Sequence, residues 1–244
     1  MMNRRTLLSL SASAPLLASG CAAPSSLATS APAPALQGTG DLGVVIERAQ
    51  GALTLVNTSR REAIGRVTGL GDLSHASVVF SRDERFAYVF GRDGGLTQVD
   101  ILAQRITDRV MQAGNSIGGA ISADGSLVVA QNYTPGGIKV FDAATLELLA
   151  DLPALTPSGE RSRVVGLADL PQRRFIYSLF DAGAICIADC ADPRKPRVTT
   201  LEGIGKQPYD ALVSPNGRHY IAGLFGEDGL AMVDLWEPQP KVRR

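Results

Sequence analysis

Residues 121–142 read ISADGSLVVAQNYTPGGIKVFD. The turn Ala123–Asp124–Gly125 stands between apolar runs, and Asp-Gly in that position is a strong signal for a β-hairpin. The stretch ends in a further apolar run, Ile138–Asp142, whose last residue is acidic. These residues predict consecutive short β-strands joined by tight turns.

The same pattern recurs along the chain. Apolar runs that end in an acidic or amide residue finish at Asn57, Asp100, Asp142, Asp189 and Asp234, at intervals of 43, 42, 47 and 45 residues. A period of about 40–50 residues with several short strands per unit indicates a β-propeller, in which each unit is a blade of about four strands. A β-sandwich is the alternative, but it would not repeat at this interval.

A second recurring feature separates these run ends. Residues 80–90 (FSRDERFAYVF), 167–179 (LADLPQRRFIYSL) and 213–225 (VSPNGRHYIAGLF) resemble the hairpin at 121–132. We therefore expect an all-β chain with four to five blades over residues 41–244. Propellers have about four to eight blades, so the chain is either a small propeller or part of a larger one.

The composition points to an ordinary globular protein. The 244 residues include 24 basic and 24 acidic side chains, and 45% are hydrophobic. A balanced charge gives no argument for binding nucleic acid. Only two cysteines follow residue 21, Cys186 and Cys190, and their spacing matches no zinc or thioredoxin motif. A disulfide is one alternative in an exported protein, but separate burial is the preferred interpretation.

The first 40 residues predict export and attachment to a membrane. Residues 1–21 have a basic start, with Arg4 and Arg5, and then a short apolar run, which fits a twin-arginine export signal. Small residues precede Cys21 in LASGC, which resembles a lipobox with Cys21 as the lipidated residue. A plain secretory signal is the alternative. Residues 22–40, rich in Ala, Ser and Pro, are predicted to be a flexible tether.

Candidate binding residues lie where loops should meet the propeller axis. We expect His75, Asn115, Asp169, Tyr209 and Asp210 to occupy such loops and to point at one central cavity. A turn histidine bonded to a nearby backbone carbonyl is the alternative for His75. The chain has no HExxH or CxxCH motif and no Ser-His-Asp order. Its Gly-rich pieces lack the strand–helix context of a dinucleotide site.

Three segments carry a resemblance to a known family. The motifs SHASVVF (74–80), FGRDGG (90–95) and NYTPGG (132–137), together with QPYDALV (207–213), resemble the NirF family of haem d1 biosynthesis proteins. That family is related to the haem d1 propeller of dissimilatory nitrite reductase. The resemblance covers roughly residues 40–240. It implies an eight-bladed propeller of which this chain is an N-terminal portion.

The resemblance also implies roles for individual residues. His75 matches the proximal ligand of the haem d1 iron, and a neutral imidazole is a good ligand for haem iron. Arg92 and Tyr133 match positions that line the pocket and suit carboxylates on the macrocycle edge. Tyr209 stands where the reductase has a catalytic histidine, so nitrite reduction is not expected. Asp169 is expected to face the ligand as an acid or base.

The function implied is late maturation of haem d1 in the periplasm. The protein would bind haem d1 or its precursor and assist a late step, from a lipid anchor in the outer membrane. The alternative is a non-enzymatic carrier or chaperone that delivers the macrocycle to nitrite reductase or to another maturation protein. A third possibility is a propeller scaffold that binds a protein partner. No nucleic-acid partner is expected.

Overall fold

A computed structural model describes residues 39–156, 158–237 and 239–243. Over this range the chain forms nineteen β-strands and two short 3-10 helices, Thr39–Asp41 and Arg48–Gln50, and it has no α-helix. The strands are β1 Leu42–Glu47, β2 Ala52–Asn57, β3 Glu62–Thr68, β4 Ser77–Phe80, β5 Phe86–Phe90, β6 Gly95–Asp100, β7 Arg105–Met111, β8 Asn115–Ile121, β9 Leu127–Thr134, β10 Gly137–Asp142, β11 Leu148–Leu152, β12 Val164–Leu170, β13 Arg174–Leu179, β14 Ala184–Asp189, β15 Arg197–Leu201, β16 Pro208–Val213, β17 His219–Leu224, β18 Leu230–Asp234 and β19 Lys241–Arg243.

The strands form five antiparallel sheets, each from consecutive strands. Blade 1 contains β1–β3, and blades 2 to 5 contain β4–β7, β8–β11, β12–β15 and β16–β19. The first strands of successive blades contact one another, β4 with β8, β8 with β12, and β12 with β16. This repeated arrangement of four-stranded sheets about their first strands confirms the predicted propeller fold.

The first strands define two faces of the molecule. We call the end where β4, β8, β12 and β16 begin the upper face, and the end where they finish the lower face. Because neighbouring strands within a blade are antiparallel, the second strand of each blade ends at the upper face: Ser77 pairs with Phe90, and Val164 pairs with Leu179. The hairpin turns predicted from Asp-Gly and Asn-Gly lie at the lower face.

The recurring acidic residues close the turn after the third strand of each complete blade. Asp100 Oδ1 accepts a hydrogen bond from the amide of Ala103, and Asp142 Oδ1 accepts one from the amide of Thr145, both at 2.9 Å. Short side chains that bond to nearby amides in this way favour turns. The sequence period therefore marks the same turn in each blade.

The core lies between neighbouring blades. Each of four buried clusters draws its side chains from two adjacent blades. Phe90, Phe175 and Tyr220 are fully buried in these interfaces, and a buried side chain of this size contributes about 1.5–3 kcal/mol. Inner strands are apolar on both faces for this reason. Outer strands are not, and β15 is exposed along most of its length.

The remaining predictions concern the N-terminal segment and the cysteines. The export signal, Cys21 and nearly all of the predicted tether lie outside the described residues. Cys186 and Cys190 are both buried and both unpaired, which confirms separate burial. In the described part of the chain no helix is long and apolar enough to cross a membrane. The same residues contain no group of three or more His, Cys, Asp or Glu side chains placed to hold a metal ion.

Candidate functional site

His75 and Arg92 lie together at the upper face of blade 2. His75 occupies the turn between β3 and β4 and is exposed to solvent. The carbonyl oxygen of Asp72, in the same loop, accepts a hydrogen bond of 2.7 Å from the amide of Arg92. That contact fixes the histidine loop against the turn after β5. Within the described residues, the His75 ring makes no hydrogen bond, so its nitrogens are available to a ligand.

Two tyrosines, one from blade 3 and one from blade 5, contact each other. Tyr133 is at the end of β9 in blade 3, and Tyr209 is at the start of β16 in blade 5. Their hydroxyl oxygens are 3.0 Å apart, and either hydroxyl can donate. The guanidinium carbon of Arg92 lies 5.7 Å from the centre of the Tyr133 ring. The structure therefore brings three predicted residues from three different blades to one place on the upper face.

An aromatic cluster surrounds Tyr209. It consists of Phe180, Tyr209 and Phe225, and the Tyr209 ring centre lies 5.6 Å from that of Phe180 and 5.5 Å from that of Phe225. Phe180 and Phe225 each follow the second strand of a blade directly, which puts both at the upper face. Phe225 is 74% exposed. The cluster therefore presents one apolar ring to the solvent at the upper face.

Arg163 is the second cation of this face. Its guanidinium carbon lies 4.2 Å from the Phe180 ring centre and 6.0 Å from that of Tyr133. Asp181 holds it with two contacts, at 3.1 Å from Nε and 2.5 Å from Nη2. This pairing raises the pKa of Arg163 and lowers the pKa of Asp181. The charge of Arg163 is therefore balanced by Asp181, which fixes its guanidinium over the Phe180 ring of the aromatic cluster.

Tyr133 is held in its neutral form. Burial is the larger cause, and the hydrogen bond to Tyr209 is the next, of a pKa for the Tyr133 phenol well above its usual range. The charges of Arg163 and Arg92 act in the opposite direction but are smaller effects. Tyr133 is therefore an uncharged phenol that can donate or accept a hydrogen bond.

Asn115 is the fifth predicted residue at this face. It begins β8, and its Oδ1 atom is buried with no hydrogen-bond partner among the described residues. A buried oxygen without a partner is costly, and such atoms often point to a missing ligand or water.

The strand pairing shifts register near the start of three first strands. In β8 the shift lies between Asn115 and Ser116. In β12 it lies between Val165 and Ala168, and in β16 between Pro208 and Ala211.

These shifts are β-bulges, and they have a common position. Each lies near the start of a first strand, at the upper face, in three successive blades. Bulges redirect side chains and are frequent beside binding sites. The bulge in β16 contains Tyr209 and Asp210, so both, like Asn115, lie in the first strand of a blade and not in the predicted loop before it. Asp210 is exposed, and no contact among the described residues brings its carboxylate to the tyrosine pair.

The placement expected for Asp169 needs correction. Asp169 lies inside β12, one residue from its end, and not in a loop before a first strand. It is therefore at the lower face, where Arg82 approaches it at 3.4 Å. β12 begins five residues earlier than Asp169, so the strand carries this carboxylate away from His75 and Tyr209. Its proposed acid–base role stays a prediction, which this position does not favour.

Sequence reasoning missed Arg163, Phe180, Asp181 and Phe225. Phe180 and Phe225 had a usable signal, because Phe180 directly follows the segment 167–179 and Phe225 ends the similar segment 213–225. Comparison of those two segments would have placed both rings at one face. Arg163 and Asp181 had no such signal, since their pairing depends on the fold of blade 4.

The chain is similar in sequence to known proteins over most of its length. Residues 37–244 match the family model of the cytochrome D1 heme domain. The chain is 62% identical to protein NirF of Stutzerimonas stutzeri over 211 residues, and 61% identical to protein NirF of Pseudomonas aeruginosa over 213 residues. Each alignment covers 86% of this chain and 54% of the relative. The chain therefore spans about half the length of the NirF proteins it matches.

A solved structure has the same architecture. The dihydro-heme d1 dehydrogenase NirN, in complex with DHE, superposes with a TM-score of 0.75 at 27% identity, over 88% of this chain and 46% of that chain. The match includes the propeller-type arrangement of four-stranded sheets. The family model covers all the described residues, and the sequence motifs at 74–80, 90–95 and 132–137 lie inside it. The chain therefore belongs to the cytochrome d1 haem domain family, and within it resembles the NirF proteins.

Proposed function

We propose that the protein binds a haem d1-type tetrapyrrole on its upper face and takes part in a late step of haem d1 maturation. The observation that carries the proposal is the convergence of the aromatic cluster, two arginines and an exposed imidazole on that face. The NirF proteins are similar over most of this chain. NirN, a dihydro-heme d1 dehydrogenase, has a related fold.

The residues present fit such a macrocycle. A tetrapyrrole is a flat apolar ring with acidic groups at its edge. The aromatic cluster offers flat apolar surface, and Phe225 is exposed there. Arg92 offers a cation on the same face, near Tyr133. The buried Oδ1 of Asn115, which lacks a partner among the described residues, supplies an acceptor.

Each side chain has a defined task in this proposal. His75 would hold the iron of the macrocycle through an imidazole nitrogen. Arg92 and Tyr133 bind acidic groups at the edge, and Tyr209 with its aromatic neighbours packs against the ring and excludes water. When bound, the iron macrocycle supplies the redox and ligand chemistry that no protein side chain provides. The ligand is haem d1 or its precursor.

A carrier function is the second candidate, and one observation favours it. Asp169, the carboxylate expected to act as acid or base, lies at the lower face. Tyr209 replaces the histidine expected from the related reductase. The upper face then offers binding groups and few groups for proton transfer. In this alternative the protein delivers the macrocycle to nitrite reductase or to another maturation protein.

Binding and chemistry can be tested in one experiment. The intact protein is incubated with a haem d1 precursor, and the bound macrocycle is then extracted and its mass measured. Binding with a changed mass supports an enzyme, and binding with an unchanged mass supports a carrier. If no tetrapyrrole binds under conditions where the protein is folded, both candidates are excluded.

We also propose a periplasmic location, with a lipid anchor at Cys21 in the outer membrane. The support is the LASGC sequence and the Ala/Ser/Pro-rich segment that follows it. Stable attachment requires more than one acyl chain, which a bacterial lipoprotein carries.

A further inference from the structure

We propose that Tyr133 and Tyr209 together form a neutral hydrogen-bond donor site for a carboxylate at the edge of the bound macrocycle. The inference rests on the proposed function and deepens it, since it names the chemical group that the site selects. It gives Tyr209 a role that its replacement of a histidine does not suggest. The pair binds the ligand and does not exchange protons with it.

The count of protons leaves one donor free. The two hydroxyl oxygens are 3.0 Å apart, so one hydroxyl donates to the other. That bond uses one of the two O–H groups. The second O–H remains available, and within the described residues no other hydrogen-bond acceptor is paired with either phenol. A ligand oxygen placed beside the pair would accept this hydrogen bond.

The charges around the pair favour an anionic oxygen. Arg163 is already neutralised by Asp181 through two contacts. Arg92 has no carboxylate within ion-pair distance in the part of the chain that the structure describes, although it lies 5.7 Å from the Tyr133 ring centre. Asp72 acts on Arg92 only at longer range, so the guanidinium of Arg92 has no direct ion-pair partner there and is available to an anion beside the tyrosine pair. A carboxylate satisfies both the cation and the free donor, whereas a neutral ester satisfies the cation poorly.

Tyr133 also keeps its proton. Burial raises the pKa of its phenol above the usual tyrosine value, so Tyr133 remains a donor across the physiological range. A histidine in the place of Tyr209 would titrate near neutral pH. The substitution thus exchanges a proton-transferring group for a permanent donor, which suits recognition of a ligand.

The packing of Tyr209 makes a clean test available. Its ring touches Phe180 and Phe225, so Tyr209→Phe removes the hydroxyl and keeps the aromatic contacts. Tyr133→Phe removes the other member of the pair. Tyr88→Phe is the matched control, because Tyr88 is a buried tyrosine whose hydroxyl donates to Ala143 at the lower side of blades 2 and 3, away from the upper face.

The intact protein is titrated with iron mesoporphyrin and, separately, with its dimethyl ester, and absorbance reports binding. Wild-type protein should prefer the free acid. Tyr209→Phe and Tyr133→Phe should each reduce that preference by about tenfold or more, the effect of losing one hydrogen bond to a charged group. Binding of the ester should change little in either variant.

The outcomes separate this inference from the proposed function. If wild-type protein binds both porphyrins and the preference for the acid is unchanged in both variants, the donor site is wrong and tetrapyrrole binding stands. If Tyr88→Phe reduces the preference as much as Tyr209→Phe, the effect is not local and the inference also fails. If wild-type protein binds neither porphyrin, the proposed function itself fails.

Discussion

Gly166 lies against the backbone of Tyr209. A Cβ atom at Gly166 would be 2.8 Å from the Tyr209 carbonyl oxygen and 2.8 Å from the Tyr220 hydroxyl, and Gly166 has a φ of +62°. Tyr220 donates a hydrogen bond of 2.7 Å to the Gly166 carbonyl oxygen. This close approach of β12 to β16 sets the position of Tyr209 on the upper face.

We expect Gly166→Ala to destabilise the protein by about 2–5 kcal/mol, because left-handed backbone strain and overpacking both oppose it. Gly217→Ala is the matched control. Gly217 has a φ of +71° but nothing within 4 Å of its Cβ position, so only the backbone cost of about 1–2 kcal/mol applies. Urea denaturation measures both. Equal costs for the two substitutions would show that β12 and β16 are less tightly packed than described.

The Arg163–Asp181 pair should make stability depend on pH. The hydrogen bond from Arg163 is the main cause that lowers the pKa of Asp181 in the folded protein below its ordinary value of 3.8. A lowered pKa contributes stability above the unfolded value, and that stability is lost as the pH falls through the folded value. Asp181→Asn should therefore be less stable than wild type at pH 7, and this difference should shrink below about pH 4.

Denaturation of both proteins at pH 7 and pH 3 measures this difference. Asp228→Asn removes the same charge from an exposed position in blade 5, and so controls for the change in net charge. A wild-type advantage over Asp181→Asn that is the same at both pH values would contradict the ion pair as its source.

The sequence predicted the blades well because their turns are local. The Asp100 and Asp142 carboxylates bond to amides two or three residues away, so the period of the repeat carries the period of the fold. The upper face depends instead on contacts between blades that are distant in sequence. Tyr133 and Tyr209 are 76 residues apart, and no local pattern reports that they touch.

Asp169 shows the limit of counting along a repeat. Its place ahead of the next strand-like run suggested a loop that faces the axis. A bulge between Val165 and Ala168 and the length of β12 put it at the lower face instead. His75 lies in the turn before β4, as counting along the repeat predicts, and its role and that of Arg92 stay predictions.

The proposed lipid anchor gives a prediction about cell fractions. Wild-type protein should sediment with the outer membrane, and Cys21→Ala should be released into the soluble periplasmic fraction or retained with its signal uncleaved. Cys190→Ala, at a buried position in the propeller, is the control and should leave the fractionation unchanged. Firm membrane attachment of mature Cys21→Ala protein would contradict the lipoprotein proposal.

The visible absorption spectrum of the bound macrocycle tests the central claim most directly. The intact protein is loaded with a haem d1-type tetrapyrrole, and wild type is compared with His75→Ala and with His219→Ala, which alters the only other histidine in the sequence. Loss of an axial imidazole changes the electronic environment of the iron. We predict that His75→Ala shifts the spectrum and weakens binding without abolishing it, while His219→Ala matches wild type. A His75→Ala protein with the wild-type spectrum and affinity would show that His75 is a turn residue and not a ligand.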